Sequence, residues 1–420
     1  MSIKKKIPEI RFKGFSEEWE KYPLATFISS LDAGVSVNSG DRTANENEFG
    51  ILKTSCVSNG FFEPTENKVV FKSEEINRLR EPVLENTIII SRMNTPALVG
   101  ANAYISKGYA KYFLPDRLWA AKPTSIGNLR FIAYILGSDK GRLALSDLAT
   151  GTSGSMKNIS KPAVLRLEFR APEVKEQVQI SSYLQKLDSL INQHQQKHDK
   201  LNRIKKSMLE KMFPKKGKNI PEIRFEGFSG QWKAIKFKQI AKISRGLTYK
   251  PSDIVEAGVI VLRSSNINID KFELRKDDVQ VDKNVVNIDF IKNGDILITS
   301  ANGSSQLVGK HAVINSLNID SVHGGFMLAA KTNDPYFLNA SMNTYWYSHF
   351  LSMNISGGNG AIGNIKGSAL EEEQLYVPKK DERDKIGTYF QKLDVLINQH
   401  QEQITKLNNI KQALLSKMFV

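Results

Sequence analysis

Two segments of this chain occur twice, and that repetition constrains the fold more than any other feature of its 420 residues. IPEIRFKGFSEEW at 7–19 returns as IPEIRFEGFSGQW at 220–232, and YLQKLDSLINQHQ at 183–195 returns as YFQKLDVLINQHQ at 389–401. The offset between the copies falls along the chain, from 213 residues at the first segment to 206 at the second. We therefore predict one fold that is present twice, with loops of different length.

The interior of each copy has diverged, and its pattern predicts a mixed α/β (α+β) fold. Short runs rich in β-branched residues, bounded by Gly, Asn, Asp or Ser, have the composition of half-buried strands. These runs are TIIIS (87–91), VIVLR (259–263), DILIT (295–299) and HAVIN (311–315). The spacing of apolar residues predicts one helix over 130–145 in the first copy and one over 335–353 in the second.

Each copy ends in a basic stretch whose apolar residues alternate at spacings of three and four. This heptad spacing predicts two long helices, over 173–214 and 379–420, that pack against another helix. The seam residues are Leu187, Ile191, His194, His198, Leu201, Lys205, Met208 and Met212 in the first copy, and Leu393, Ile397, His400, Ile404, Leu407, Lys411, Leu414 and Met418 in the second. We interpret the seam histidines as packed polar residues that set the register, because no cluster at ligand spacing supports a metal site.

The order of these parts predicts how they are arranged. The first helix ends near Phe213, and the second globular part begins at Ile220 after the basic linker PKKGKN. The second helix can bury its seam against the first only by running back antiparallel to it. We therefore expect globular parts over 1–172 and 215–378, joined by two long antiparallel coiled-coil helices of about 55 Å and related by an approximate two-fold axis.

The charge of the chain indicates the class of partner. It carries 59 Lys and Arg against 44 Asp and Glu, a net charge of +15. This excess favours a polyanionic partner, with nucleic acid first and an anionic membrane surface second. A basic protein that binds neither remains an alternative. Cys56 is the single cysteine, which excludes a disulfide within the chain and fits a reducing cytoplasm. With no signal peptide and no apolar run near 20 residues, we expect a soluble cytoplasmic protein.

The motifs that resemble catalytic sites are all incomplete. GNGAIG (358–363) has the Gly spacing of a dinucleotide site but follows a helical stretch, and the other copy has GTSGSM (151–156). NDPYF (333–337) lacks the second Pro of the amino-methyltransferase loop, and EVK (173–175) lacks the Asp of a nuclease core. We therefore expect a chain without catalytic residues, metal or cofactor of its own.

Taken together, these parts resemble the specificity (S) subunit of type I restriction–modification systems, over the whole chain. The resemblance is carried by the paired IPEIRF-x-GF openers and by the residues that lead into the closing helices. Those residues are Pro172, Glu176, Gln177 and Ile180 in the first copy, and Pro378, Glu382 and Ile386 in the second. Arg383 stands where the first copy has Gln177, which is one departure between the copies.

The resemblance implies a function. Each globular part would be a target recognition domain that reads one half of a bipartite double-stranded DNA sequence. The helices would set the spacer and dock two methyltransferase (M) subunits, and restriction (R) subunits would complete the bacterial defence complex. The chain would then serve a DNA adenine methyltransferase and ATP-dependent endonuclease, with S-adenosylmethionine, ATP and Mg²⁺ bound by those partners.

Bases are read by polar side chains on loops that enter a groove, while Lys and Arg at the rim hold phosphates. The candidates lie in loops that recur in both copies: Lys53, Ser55, Arg92, Asn94, Lys157 and Asn158 in the first, and Arg263, Ser265, Asn302, Ser304, Lys310, Asn364 and Lys366 in the second. Asn158 and Asn364 are favoured because both follow Gly- and Ser-rich segments. A scaffold for an acidic protein partner and a degenerate methyltransferase remain as alternatives.

Overall fold

The computed structural model describes residues 6–58, 60–151, 156–355 and 363–420. The chain divides into two units, one formed by Met1–His194 with Gln403–Val420 and the other by Gln195–Glu402. We call them unit 1 and unit 2. Each unit contains one copy of the repeat interior, part of the first long helix and part of the second. No helix in the described ranges has the length and apolar character that crossing a membrane requires.

Unit 1 contains fourteen of the strands that are described and four short helices. The strands are β1 Glu20–Pro23, β2 Ile28–Ala33, β3 Phe49–Leu52, β4 Val57–Ser58, β5 Phe61–Phe62, β6 Asn67–Val70, β7 Pro82–Val83, β8 Thr87–Ser91, β9 Met93–Asn94, β10 Asn102–Ile105, β11 Tyr109–Phe113, β12 Leu118–Pro123, β13 Lys157–Asn158 and β14 Glu168–Ala171. The helices are α1 Ser73–Arg78, α2 Leu129–Gly137, α3 Asp139–Asp147 and α4 Lys161–Leu165, followed by the long helix α5 Val174–Lys211.

Unit 2 contains the elements that follow in the chain. Its strands are β15 Lys233–Lys236, β16 Ala241–Arg245, β17 Ile254–Leu262, β18 Ile267–Asn268, β19 Lys271–Phe272, β20 Gln280–Val281, β21 Ile296–Thr299, β22 Ala301–Asn302, β23 His311–Val313, β24 Ser321–His323, β25 Met327–Thr332, β26 Gly363–Asn364 and β27 Gln374–Val377. Its helices are α6 Pro335–Met342, α7 Tyr345–Asn354 and α8 Gly367–Glu372, followed by the long helix α9 Lys380–Lys417.

The two interiors have the same sheet topology. The antiparallel sheet of unit 1 has the order β10-β8-β12-β2, and that of unit 2 has the matching order β23-β21-β25-β16. A second sheet contains β6-β3-β11 in unit 1 and β20-β17-β24 in unit 2. Its β3–β11 and β17–β24 pairs are parallel. The prediction of one mixed α/β fold present twice is confirmed.

The central strands are more deeply buried than the half-buried strands that we predicted. In β8, Ile88 and Ile90 pack into one core cluster with Trp19 and Trp119, while Ile89 packs into another on the opposite face. In unit 2, β21 is likewise buried along its whole length. A strand covered on both faces is apolar throughout and loses the alternation that marks a half-exposed strand.

The single helix predicted over 130–145 is wrong, because the chain breaks at Ser138 into α2 and α3. The Ser138 backbone is extended, and its hydroxyl accepts a hydrogen bond from the Gly141 amide at 3.2 Å, which caps α3. A Cβ atom at Gly141 would lie 2.0 Å from the carbonyl oxygen of Ile135, so this sharp turn requires glycine.

The predicted helix over 335–353 is also divided, between α6 and α7. The Asn343 amide group donates to the carbonyl of Asn339 at 3.0 Å, and the Thr344 hydroxyl donates to the carbonyl of Ser341 at 2.7 Å. Side chains that bond to the carbonyls behind them compete with the helical backbone. The polar residues between two apolar runs therefore end one helix and begin the next.

The repeated opener joins each globular part to both long helices. In unit 1 the Arg11 guanidinium makes two hydrogen bonds of 2.7 Å to the buried carboxylate of Glu176, in the first turn of α5. The neighbouring Ile10 amide donates to the Lys417 carbonyl at the end of α9, at 3.2 Å. The opener therefore pairs a buried carboxylate with arginine and bonds a backbone carbonyl at a helix end. These two interactions explain why the opener is kept in both copies.

In unit 2 the same clamp is present with the helices exchanged. Arg224 bonds the buried carboxylate of Glu382 in α9 at 2.8 and 2.6 Å, and the Ile223 amide donates to the Lys211 carbonyl of α5 at 2.9 Å. In each unit, therefore, the start of one long helix lies beside the end of the other.

Contacts further along the helices show the antiparallel pairing within each unit. In unit 1, Lys411 of α9 forms a 2.6 Å ion pair with Asp188 of α5. In unit 2, Lys205 of α5 forms a 2.7 Å ion pair with Asp394 of α9. Moving forward along α5 thus moves backward along α9 in both units, and the predicted antiparallel helices are confirmed.

The seam residues occupy the following positions. Leu187, Ile191, Leu393 and Ile404 are buried, and His194, His198, Leu201, Met208, Ile397, His400, Leu407 and Leu414 are half-buried. In unit 1, Leu407 and Leu414 pack on the core cluster that holds Leu187. In unit 2, Leu201 and Met208 pack on the cluster that holds Leu393.

Buried histidines predict that the two units respond differently to acid. Burial lowers the pKa of both His311 and His323, which lie in unit 2. In the unfolded chain a histidine titrates near pH 6.5, so below about pH 6.5 the unfolded state binds more protons than the folded state. The free energy of unfolding therefore falls as the pH is lowered. We expect the free energy of unfolding of unit 2 to fall by up to about 1.4 kcal/mol per pH unit for each histidine as the pH is lowered. The contribution of both histidines is fully present above about pH 6.5.

Hydrogen–deuterium exchange at pH 7.5 and pH 5.5 measures this difference unit by unit. Protection in the core strands of unit 2 should fall at the lower pH, while unit 1, which contains neither His311 nor His323, should change less. The paired variant His311→Gln with His323→Gln should have a flatter pH dependence. Equal loss of protection in both units would contradict the assignment.

Candidate nucleic-acid interface

In unit 1 a two-stranded ribbon brings several candidate residues together. Strand β9 pairs with β13, so that Asn94 lies opposite Lys157 and Met93 opposite Asn158. The Arg92 carbonyl accepts from the Ile159 amide at 2.9 Å and extends the pairing by one residue. We call residues 92–94 with 157–159 the first ribbon. It gathers Arg92, Asn94, Lys157 and Asn158.

The side chains of the first ribbon differ in whether their polar atoms already form hydrogen bonds within the protein. Asn94 is buried, and its amide group donates to the Ser91 hydroxyl at 3.1 Å and accepts from the Thr95 amide at 2.9 Å, so it shapes the turn. Asn158 Oδ1 and Arg92 Nε are buried atoms with no hydrogen-bond partner. The Arg92 guanidinium lies 5.8 Å from the centre of the Trp119 ring. Arg92 and Asn158 therefore each contain one buried polar atom that no group of the described chain satisfies.

Lys53 and Ser55 are bound to one carboxylate. The Lys53 ammonium lies 3.5 Å from Glu66, and the Ser55 hydroxyl donates to the same carboxylate at 2.6 Å. The Ser55 hydrogen bond, followed by the charge of Lys53, lowers the pKa of Glu66. Since Glu66 remains charged, it offsets the charge that Lys53 would present to a phosphate.

Unit 2 has the equivalent ribbon. Strand β22 pairs with β26, so that Asn302 lies opposite Gly363 and Ala301 opposite Asn364. The Ser300 carbonyl accepts from the Ile365 amide at 2.9 Å. We call residues 300–302 with 363–365 the second ribbon. The matching register makes Asn94 equivalent to Asn302, and Asn158 equivalent to Asn364, which is exposed.

A neighbouring loop joins the second ribbon. The Asn302 amide group donates to the Ser264 hydroxyl at 3.1 Å, which places the loop of Arg263 and Ser265 beside the ribbon. The Arg263 Nε atom is buried without a hydrogen-bond partner, and Ser265 is exposed. The structure thus brings together two candidates from a loop and two from a ribbon that lie far apart in sequence.

The remaining candidates of unit 2 are more scattered. Ser304 is exposed, and its amide donates to Asn302 Oδ1 at 3.0 Å. Lys366 is exposed at the start of α8, just after the second ribbon. Lys310 instead lines a groove of about 740 Å³, together with Lys206 near the end of α5 and Tyr345 of α7.

The structure describes the incomplete catalytic motifs only in part. Apart from Gly151, Met156 and Gly363, the segments GTSGSM and GNGAIG fall outside the described residues. In NDPYF, Asp334 lies 3.0 Å from both Lys380 and Arg383, in the first turn of α9. In the residues that the structure describes, no group of three or more His, Cys, Asp or Glu could hold a metal ion.

Two residues beside the ribbons were missed by the sequence analysis. The turn before β12 ends with the exposed Arg117, whose carbonyl accepts from the Arg92 amide at 3.1 Å. The turn before β25 ends with Phe326, whose carbonyl accepts from the Ser300 amide at 2.9 Å. The phenyl ring of Phe326 is exposed, as Phe326 is 67% accessible. The only signal in the sequence was their place just ahead of a buried strand, in LPDRL and HGGFM.

Comparisons with known proteins agree on one family. The family model of the type I restriction modification DNA specificity domain matches residues 16–203. The MjaVIII specificity subunit of Methanocaldococcus jannaschii is 21% identical over 66% of this chain and 67% of its own length. The EcoKI specificity subunit of Escherichia coli K12 is 21% identical over 96% of this chain and 89% of its own. The S subunit crystal structure from M. genitalium has a TM-score of 0.67 at 16% identity, covering 99% of both chains.

Proposed function

The chain belongs to the specificity subunits of type I restriction–modification systems, which recognise the DNA sequence, and from this premise we propose that each unit reads one half of a bipartite target through its ribbon. The observation that carries the proposal is the equivalence of the two ribbons. Both have the same hydrogen-bond register and an asparagine at the same position, Asn158 and Asn364, while the residues around them differ. Two ribbons with the same backbone pairing but different side chains are suited to recognising two different half-sites.

The chemistry of the ribbons supports reading in the major groove. That groove is wide enough for a two-stranded β-ribbon, and its base edges match the side chains present. Asparagine makes two hydrogen bonds to adenine, and arginine makes two to guanine. Asn158 and Asn364 are the proposed adenine readers. Arg92 and Arg263, which are half-buried side chains within or beside the ribbons, are the proposed guanine readers.

The long helices are the proposed spacer and the docking surface for two methyltransferase subunits. Leu190 of α5 and Leu396 of α9 are equivalent residues in the repeated segments, and they are 42% and 43% exposed. Each stands beside a seam leucine that is buried, Leu187 or Leu393. An exposed leucine at the same place on both helices supports one docking site for each of two identical partners.

The partner subunits would supply the chemistry. We propose that the methyltransferase subunits methylate adenine with S-adenosylmethionine, and that restriction subunits add an endonuclease that depends on ATP and Mg²⁺. The complex would act in the cytoplasm. The domains would follow the limits expected from the sequence, 1–172 and 215–378, with helices over 173–214 and 379–420.

Alanine at Asn158 or Asn364 tests the division of labour between the units. In the complex with the methyltransferase subunits, each variant should bind the cognate duplex more weakly by about 1–3 kcal/mol. A duplex already altered in the half-site read by that unit should show little further loss, because the contact is already gone. Titration of labelled duplexes measures both effects.

The exposed Asn77 on α1 and Asn287 of unit 2 provide matched controls as alanine variants. These controls should bind like the wild-type chain. Equal weakening on every duplex would indicate a phosphate contact instead, with a smaller salt dependence. An Asn364→Ala variant that failed only on the half-site assigned to unit 1 would refute the proposal.

A further inference from the structure

The turns before β12 and β25 occupy equivalent positions but present different side chains. Leu118 pairs with Ser91 in unit 1 as Met327 pairs with Thr299 in unit 2, so the preceding residues, Arg117 and Phe326, correspond. The backbone carbonyl of each is bound by the first residue of its ribbon. Each side chain therefore stands at the base of a ribbon that is proposed to read DNA.

The backbone around Phe326 is held firmly, although its ring is exposed. The Phe326 carbonyl accepts from the amides of Ser300 and Ala301 at 2.9 and 3.1 Å. The Met327 amide closes the turn on the Gly324 carbonyl at 2.8 Å. A large aromatic side chain that is 67% exposed on a fixed turn is available to a ligand at little cost in backbone entropy.

The neighbours of Phe326 determine which ligand group fits. Gly324 lies against Arg263, since a Cβ atom on it would stand 3.9 Å from Arg263 Cγ, and the Ala301 amide ties the turn to the second ribbon. The turn that carries the ring is thus tied to the second ribbon and its loop, whose Asn364 and Arg263 are proposed to bind base edges in the major groove. In that groove the apolar group presented by the base pairs is the 5-methyl of thymine.

We propose that Phe326 is a specificity-determining residue that contacts the 5-methyl group of a thymine in the half-site read by unit 2. The inference rests on the proposed function of the second ribbon. The corresponding Arg117 would favour the O6 and N7 atoms of guanine instead, because its guanidinium donates hydrogen bonds. The same turn thus selects a different base in each half-site.

Replacing thymine by uracil in the DNA tests the contact, because it removes the methyl group and leaves base pairing intact. Each thymine of the unit 2 half-site, on either strand, is replaced in turn, and binding is measured with the full chain in its methyltransferase complex. One replacement should weaken wild-type binding about tenfold, at the lower end of what one apolar group contributes to recognition. Phe326→Ala should weaken binding to the thymine duplex by a similar factor and make it insensitive to that uracil.

Two further variants make the result specific. Phe326→Leu should retain part of the sensitivity, because leucine is still apolar. Phe71→Ala, which removes a phenylalanine that is 64% exposed in unit 1, should behave like the wild-type chain. A half-site without any thymine, or Phe326→Ala that weakens binding while the uracil effect persists, would overturn the proposal.

The variants Arg263→Ala and Asn364→Ala separate this inference from the function on which it rests. If they weaken binding while Phe326→Ala and every uracil duplex behave normally, the contact with thymine is refuted and the ribbon remains a reader. If none of these changes alters binding, the second ribbon does not read DNA, and both proposals fail.

Discussion

Aspartate at both Leu190 and Leu396 is expected to abolish association of the methyltransferase subunits. The two leucines are exposed at equivalent positions of the long helices, while their neighbours Leu187 and Leu393 are buried in the seam. A carboxylate placed in an interface loses its hydration without gaining a partner. Each site should lose about 3 kcal/mol, which is roughly 100-fold in affinity, as at the central residues of other interfaces.

Size-exclusion chromatography with light scattering measures the composition of the complex directly. The double variant should elute as the free specificity subunit, and each single variant should retain one partner. Asn192→Asp with Asn398→Asp adds the same charges about 200° further round each helix and should assemble normally. A double variant that still carried two partners would show that docking lies elsewhere.

Alanine at Arg11 is expected to destabilise unit 1 by about 3–5 kcal/mol, because it leaves the buried Glu176 carboxylate without its ion-pair partner. The Glu176 side chain is fully buried and receives two hydrogen bonds from Arg11. Arg224→Ala should do the same to unit 2 through Glu382. Urea-dependent hydrogen exchange, followed separately in the strands of each unit, measures the loss.

Two comparisons identify the buried charge as the cause. Arg11→Met combined with Glu176→Leu removes both charges, and should recover much of the stability that Arg11→Ala loses. Lys6→Ala breaks an ion pair with Glu18 in which both side chains are more than half exposed, and should cost under about 1 kcal/mol. An Arg11→Ala variant as stable as Lys6→Ala would contradict the clamp.

The departure at Arg383 shows how far one copy can be predicted from the other. In unit 1, Gln177 donates to the Pro172 carbonyl at 2.8 Å and accepts from the Asn128 amide at 3.0 Å. In unit 2, Arg383 donates to the Pro378 carbonyl at 3.0 Å and pairs with Asp334 at 3.0 Å. The exchange of Gln for Arg is matched by an acid on another element, and only the folded chain brings that acid to Arg383.

The candidate interface was predictable only in part. The recurrence of Asn158 and Asn364 in both copies identified equivalent positions, and the strand pairing places both on a ribbon. The sequence could not indicate that Lys53 shares Glu66 with Ser55, because partners across a loop are chosen by the turn between them. Phe326 was missed because a phenylalanine next to an apolar strand is expected from the sequence to be buried in the core.

The sequence alone predicted the duplicated fold, the two long helices and the resemblance to the family, because repeats and heptad spacing are local patterns that can be recognised without knowledge of long-range contacts. Only the tertiary structure decided that α2 and α3 are separate helices, that Arg11 and Arg224 clamp the helix ends, and which polar side chains retain free hydrogen-bonding capacity. Those outcomes depend on which groups meet across the sheet and on what burial leaves unpaired, and such pairings are settled by packing between segments far apart in the chain.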